Sequence, residues 1–540
     1  MPKIVSDIDP NSVPFVENRA EMLAQIDALR ELEGMVRARS EKSRARFESR
    51  NQLLPRDRLD LLLDRGAPWL ELSTMAGFET YDDDGGDNIS GARLITGIGM
   101  VSNVRCVVIV DDSGILAGAL HTHGVDKMVR AFDIALENKL PVIHLVQSAG
   151  ADLLDYVPAT WIRAGGMFYK QAKLSAAGCP VISVVHGAST AGGAYMPGMS
   201  DYVVMVRKQA MAFLAGPPLL LAATGEVADA EELGGTDMHA SISGLTEYVA
   251  EDDPEAIVIC RDIVSRLNWT DRLAPSRART WEEPAYDIDE LCGIVPMEYQ
   301  KAYDVREVIA RLVDGSDFLE FKAEYDQQTI CGQAAIMGLP CGIIGSNGPI
   351  TPQGSTKASQ FMQLCDQSNT PLIYLHNTTG FIVGREAEEM GMIKHGAKMI
   401  QAVSNVSVPR LTLMIGASFG AGAYAMSGWS YEPRFLLGWP NFQAGVMGGK
   451  QAAQVMRIVY EAKLKRQGTP PDEAELEALE AKVVDLYDSK ASAYYYTARM
   501  WSDGLIDPRD SRNALGLLLL VCDEEKRRSV NTNSFGVARF

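Results

Sequence analysis

Two runs of small residues, each at the end of an apolar stretch, are where this chain could do chemistry. The first is Ser189-Thr-Ala-Gly192-Gly193-Ala-Tyr195, after Pro180-Val-Ile-Ser-Val-Val-His. The second is Ser418-Phe-Gly-Ala-Gly422-Ala423-Tyr424, after Pro409-Arg-Leu-Thr-Leu-Met-Ile. A strand that enters such a turn and then opens a helix leaves backbone N–H groups outside the helix ladder. Glycine removes the side chain that would hold a ligand oxygen away from them. Fixed donors of this kind stabilise negative charge developing on a carbonyl oxygen, as an oxyanion hole does. Gly192 and Gly193 are the candidate donors of one hole, and Gly422 and Ala423 of the other. The plainer reading is that small residues let helix and sheet pack closely. Two copies in register favour the catalytic reading, although duplication preserves packing motifs too.

Other candidate chemistries are weaker. Gly416-Ala-Ser418-Phe-Gly420 has the spacing of a hydrolase nucleophile elbow,. That reading needs a histidine downstream, and none follows His395; the first copy also breaks the pattern at Ala191. His144, His186 and His376 sit within or at the end of apolar runs, where packed core histidines are common. The histidines show no metal-ligand spacing, so no metal is expected.

The elements that must position the two turns are themselves duplicated. Lys127, Pro141 and Gly150 recur as Lys357, Pro371 and Gly380 at one offset of 230, and the glycine-rich turns follow at an offset of 229. Each copy reads as a helix, a Pro-led strand ending in Gly, then a second strand and the turn. Upstream, Arg58-Leu-Asp-Leu-Leu-Leu-Asp64 with Trp69 matches Val308-Ile-Ala-Arg-Leu-Val-Asp314 with Phe318. Strands alternating with helices predict an α/β fold with mainly parallel crossovers. At 540 residues two domains are expected,. Residues 1–280 form the N-terminal one, with a charged helical lead-in over 1–60, and residues 290–540 the C-terminal one. The polar, Pro-bearing stretch around 268–300 joins them. A helical stretch over 450–500 breaks at Gly468-Thr-Pro-Pro471, and the acidic run after it reads as a solvated helix face.

Composition excludes more than it asserts. A formal net charge of −19 without a basic cluster argues against nucleic acid,. The apolar run Leu517–Cys522 is too short to span a bilayer, and the N-terminus shows no targeting character. Eight scattered cysteines without a C-x-x-C pair suit a reducing cytosol,.

Over nearly its whole length the chain resembles the carboxyltransferase (β) subunits of biotin-dependent acyl-CoA carboxylases, closest to the methylcrotonyl-CoA and geranyl-CoA branch. The matching pieces are Ser189–Tyr195, Phe213-Leu-Ala-Gly-Pro-Pro-Leu219, Ala223-Thr-Gly-Glu-Val227, Thr379-Gly-Phe-Ile-Val-Gly-Arg-Glu386, Ser418–Gly422, Val446-Met-Gly-Gly-Lys-Gln-Ala-Ala453 and Asp503-Gly-Leu-Ile-Asp-Pro508. The resemblance implies two tandem crotonase-like domains, an active site between the N-domain of one subunit and the C-domain of another, and a homo-oligomer, usually a hexamer. It implies a partner α-subunit that carries biotin carboxylase and biotin, since this chain has no Met-Lys-Met motif and no glycine-rich ATP loop. It further implies that Gly192 and Gly193 hold the ureido oxygen of biotin while Gly422 and Ala423 hold the thioester oxygen of an acyl-CoA enolate. Ser148, Gly150, Ala151, Tyr195, Gly380, Phe381, Tyr424 and Ala425 are then the expected substrate-binding residues. A biotin-dependent decarboxylase component and a catalytically silent scaffold are the alternatives. Ala423 replaces the Asn of the methylcrotonyl branch, and Ala425 the Asp of short-chain enzymes. Ile115-Leu-Ala-Gly-Ala119 replaces a Lys-Gly-Gly loop, and Ser148-Ala-Gly-Ala151 replaces Ser-Gly-Gly-Ala. These changes bear on which acyl-CoA is used.

Overall fold

In a computed structural model, residues 3–80, 91–150, 157–276, 278–468 and 470–538 are described. The chain forms two compact units. The first comprises residues 31–276, 498–500 and 521 onward; the second comprises the chain up to residue 30, 277–497 and 501–520. The units therefore do not follow the continuous division read from the sequence. The helix Val13–Glu41 begins with residues of the second unit and ends with residues of the first, and the helix Ser511–Arg527 is divided likewise.

The first unit is built on an eight-stranded sheet. Its strands are β1 (Leu70–Leu72), β2 (Leu94–Val101), β3 (Val104–Asp111), β4 (Val142–Ser148), β5 (Val181–Thr190), β6 (Tyr202–Val206), β7 (Met211–Phe213) and β8 (Tyr248–Ala250). They lie in the order β1-β2-β3-β4-β5-β6-β8, with β7 paired to the end of β5. β1, β2 and β3 are antiparallel, and every later pairing is parallel. The helix Thr122–Glu137 crosses from β3 to β4, and the helix Pro158–Ala176 from β4 to β5. Proline at the first position of that second helix gives up an N–H that would have had no partner. β3 is buried along its whole length, as expected of a strand covered on both faces,.

The second unit repeats this plan. Its strands are β9 (Leu319–Glu320), β10 (Thr329–Ile336), β11 (Leu339–Ser346), β12 (Leu372–Thr378), β13 (Arg410–Phe419), β14 (Phe435–Gly438), β15 (Gln443–Gly445) and β16 (Gly504–Leu505). The order is again β9-β10-β11-β12-β13-β14-β16, with β15 on the end of β13. Helices Pro352–Gln367 and Met392–Asn405 make the two crossovers. The helical stretch after β15 is a hairpin, Gly449–Gln467 and Glu473–Ala491, and Gly468 closes its first arm in the left-handed region that favours glycine,. Arg457 pairs with Glu473, the first residue of the acidic arm, at 2.7 Å.

The duplicated landmarks do the same work twice. Asp64 accepts from Ser102 and Asn103 N–H in the β2–β3 turn at 2.9 and 2.7 Å. Asp314 accepts from Met337 and Gly338 N–H in the β10–β11 turn at 2.8 and 2.7 Å. Trp69 fills the space over Gly97, and Phe318 fills that over Gly332. The ammonium of Lys127 donates to the Gly91 and Leu94 carbonyls at 3.2 and 2.7 Å, and that of Lys357 to the Asp326 carbonyl at 3.1 Å. These two buried lysines tie each crossover helix to the loop before its sheet. All eight cysteines are buried and unpaired, and among the described residues no helix is long and apolar enough to cross a membrane.

Candidate active site

In the first unit β4 and β5 run side by side and their register shifts near the end, where Ser148 pairs with Ser189. In the second unit the shift recurs, with Thr378 opposite Ser418. Beyond each shift the strand ends in a pair of facing turns. Ser148 Oγ donates to the Gly118 carbonyl at 2.7 Å and accepts from Gly150 N–H at 3.2 Å. Thr378 Oγ1 accepts from Gly380 N–H at 3.2 Å, in the same place. Thr378 was not singled out from the sequence, although the offset of 230 points to it. Gly150 and Gly380 both have positive φ, 89° and 116°. Ala151 lies outside the described residues.

The glycine-rich turns follow β5 and β13. The first is a single 3₁₀ turn over Ala191–Ala194, and the second is the short helix Gly420–Ala425. Ala191 and Gly420 open them, each with positive φ, 55° and 58°. This register puts Gly193 with Gly422 and Gly192 with Ala421, so the two candidate pairs are staggered by one residue. The first N–H groups of such a turn have no ladder acceptor; Gly192, Ala421 and Gly422 hold such positions, whereas Gly193 and Ala423 stand where the ladder of each turn begins.

What a side chain would meet differs between the copies. A Cβ on Gly192 would come no closer than 3.7 Å, to Phe168, and one on Gly193 no closer than 3.6 Å, to Ser189 Oγ. Packing therefore does not demand these two glycines. A Cβ on Gly422 would lie 2.8 Å from Gly380 Cα. There close packing alone requires glycine, so the plainer reading holds for Gly422 at least in part.

Tyr195 and Tyr424 occupy equivalent exposed positions beside the turns. The Tyr195 ring meets Phe168 edge-on at 5.8 Å, and Tyr424 stacks on Tyr431 at 5.9 Å. Leu214 and Val446, just past β7 and β15, are exposed in both units. Phe381 is half-buried against the core. Ala425 does not fit the expected role. It is fully buried in a core cluster with Tyr374, Met399 and Met426, so it does not line a space beside the turn. One step of a helix turns the side chain by about 100°, which carries Tyr424 outward and Ala425 inward.

The hydrolase reading fails on geometry. Ser418 lies inside β13, buried, and its hydroxyl meets His376 Nδ1 at 2.9 Å while His376 Nε2 meets the Met426 carbonyl at 2.5 Å. A nucleophile elbow instead exposes its serine on the turn. Burial lowers His376 to about 4, so it stays neutral. His186 meets Asp253 at 2.7 Å, and His144 meets Asp111 at 3.2 Å, both in the core of the first unit. Among the described residues no group of three or more His, Cys, Asp or Glu is placed to hold a metal ion.

Two units on mainly parallel sheets, each ending a central strand in a glycine-rich turn, define a duplicated crotonase-like architecture. The carboxyl transferase domain model matches residues 47–537, and the chain belongs to that family. It is 45% identical to the probable methylcrotonoyl-CoA carboxylase beta chain, mitochondrial, of Drosophila melanogaster, over 95% of this chain and 92% of that one. It is 45% identical to the probable biotin-dependent acyl-coenzyme A carboxylase beta2 subunit of Mycobacterium tuberculosis, over 99% of each. Among solved structures, the beta subunit of P. aeruginosa geranyl-CoA carboxylase matches with a TM-score of 0.94 at 51% identity, over the full length of both chains.

Proposed function

We propose that this chain is the transfer half of an acyl-CoA carboxylase, placing CO₂ on the enolate of an acyl-CoA. The observation that carries the reading is the pair of N–H turns at one place in a duplicated frame. The reaction makes two anions, and each turn would hold one of them. Biotin, carried by a partner subunit, would supply CO₂ and then take the proton from the acyl-CoA through its freed ureido nitrogen. The space beside Gly192 and Gly193, which a Cβ would enter at no more than ordinary contact distance, fits the approach of a carbonyl-type oxygen to both N–H groups. The chain's own work is to hold charge by fixed backbone dipoles, which need not reorganise as it develops. No side-chain acid or base is required of it.

The equivalent exposed rims, Tyr195 with Leu214 and Tyr424 with Val446, support a site completed when two copies bring a first-unit turn and a second-unit turn together. A hexamer of this chain, built from such pairs, is the proposed assembly, and the cytoplasm the proposed compartment.

For the acyl group we propose a branched or unsaturated medium-length chain. With Ala425 in the core, the support comes from the helix Pro158–Ala176. Gly165 lies within it with nothing inside 4 Å of where a Cβ would stand, one turn before Phe168. A glycine inside a helix costs about 0.5–1 kcal/mol relative to alanine, and packing within the chain gives no reason for it. Room for an apolar chain beside Phe168 does.

The test is reconstitution. With ATP, bicarbonate and a biotin-bearing partner, the chain should carboxylate an acyl-CoA, and avidin should block the reaction. Activity that avidin leaves intact would refute the proposal. A panel of acyl-CoAs would then show whether larger chains are preferred over propionyl-CoA.

A further inference from the structure

A buried ionic network lies behind the first turn, at positions where the second unit carries apolar residues. We propose that Arg58, acting through Gln147, sets the geometry of the first turn, a positioning role that the shared frame alone does not require. The inference rests on the reading of that turn as the holder of biotin's oxygen.

The network centres on Asp253, the first residue of the helix Asp253–Ser265. Its carboxylate accepts from Arg58 Nε at 2.9 Å, from His186 Nδ1 at 2.7 Å and from Leu53 N–H at 2.7 Å. Burial lowers His186 to about 4, so the imidazole is neutral and the Arg58 guanidinium balances the carboxylate. The guanidinium forks, and its Nη1 donates to Gln147 Oε1 at 2.6 Å. Gln52 donates to the His186 carbonyl at 2.9 Å. Arg58, His186 and Asp253 are all buried.

Gln147 is where the network reaches the site. It lies at the register shift between β4 and β5, and its side chain fills the space that a Cβ on Gly187 would take. The next residue is Ser148, which holds the Gly118 carbonyl and Gly150 N–H. Gly150 in turn packs on Thr190, whose carbonyl is 3.1 Å from where a Cβ would stand. Thr190 leads directly into the turn Ala191–Ala194. One network thus grips both strands that approach the turn, β4 through Gln147 and β5 through His186.

The second unit is an internal control. It makes the same register shift with buried Val308 and Ile415 in place of Arg58 and His186, and Asn377 in place of Gln147. The plan therefore folds with apolar side chains there. Where such side chains serve, a buried ion pair is seldom the more stable choice. Arg58 Nη2 and His186 Nε2 also lack hydrogen-bond partners. A cost met behind one turn only marks a demand of that turn.

Two substitutions at Gln147 test this. Gln147→Met removes the acceptor and keeps the bulk, while Gln147→Glu keeps an acceptor for Arg58. In hydrogen exchange of the whole chain, residues 186–190 should exchange about tenfold faster in the Met variant, and the equivalent residues 415–419 should be unchanged. In reconstituted transfer the Met variant should raise KM for the biotin-bearing partner by about five- to tenfold and leave KM for the acyl-CoA within about twofold. A smaller folded fraction would move neither KM. The Glu variant should recover both values. Arg58→Lys, whose ammonium lacks the fork that reaches Asp253 and Gln147 together, should give the Met result from the other end of the bond. The proposal is overturned by unchanged exchange at 186–190 in both the Met and Lys variants, by equal loosening at 415–419, by an unchanged KM for the partner, or by failure of the Glu variant to recover. A wild-type chain that transfers to no acyl-CoA would refute the proposed function instead, and the exchange comparison would still decide this one.

Discussion

Gly193 and Gly422 hold the same place in their units, yet substitution should affect them differently. Gly193→Ala adds a methyl where nothing stands closer than 3.6 Å, so the folded state should keep its stability. Gly193→Val would project further into the anion's space, and loss of one such donor typically lowers turnover by roughly 10²–10³. Gly422→Ala drives a methyl against the Gly380 backbone, and overpacking of this kind costs about 1–3 kcal/mol. Urea unfolding beside reconstituted turnover should therefore separate the two. A Gly193→Val variant with full turnover would show that the first turn holds no anion. A second residue-scale expectation concerns acid. Burial lowers His376 and His123 to about 4 from the ordinary 6.5. Between those values the unfolded chain binds protons that the folded chain does not, so stability should fall as pH drops from about 6.5 to 4. The urea midpoint should follow that window, and His376→Phe should show a shallower slope from a lower starting point. Equal slopes would mean that His376 does not titrate there. The turns were legible because glycine after an apolar run has few other meanings. The direction of Ala425 was not, since neighbouring residues on a helix face different ways.

At the scale of elements, the hairpin clasps were half visible. The match of Asp64 with Asp314 could be read, but not what the two carboxylates hold, because their partners are backbone N–H groups that no residue type announces. Asp314→Ala would strand two turn donors and the Arg512 guanidinium, which it meets at 2.8 Å. A loss of about 2–4 kcal/mol is expected in urea unfolding, and a loss below 0.5 kcal/mol would contradict the clasp. The short strands β1, β7, β9 and β15 escaped sequence reading, because two or three residues carry no usable period. The glycine at 165 belongs to this scale too. Gly165→Ala should raise stability by about 0.5–1 kcal/mol, whereas Gly165→Phe should lower kcat/KM for a branched or longer acyl-CoA more than for propionyl-CoA. An unchanged ratio would remove this helix from acyl selection.

At the scale of the whole molecule, the duplication was legible as a repeat at nearly fixed offset, and it correctly implied two units on one helix–strand plan; the strand order was not read from it. The proposed sharing of a site between copies predicts that light scattering finds a large assembly of this chain alone and that dilution to monomers abolishes transfer. An active monomer would refute it. The placement of the chain ends was not legible, since nothing in a helical lead-in names the unit it will join. It follows that the two repeats are not two separable modules. Cutting the backbone once after Ser276 leaves an N-terminal piece that carries residues 1–30 of the second unit, while the C-terminal piece carries residues 498–500 and those from 521 onward of the first. Each fragment made alone would lack part of its own unit and should fold poorly. Made together, they should recover as a non-covalent pair, as a chain with one break would, so a nick in this linker should be silent where a deletion of either half is not.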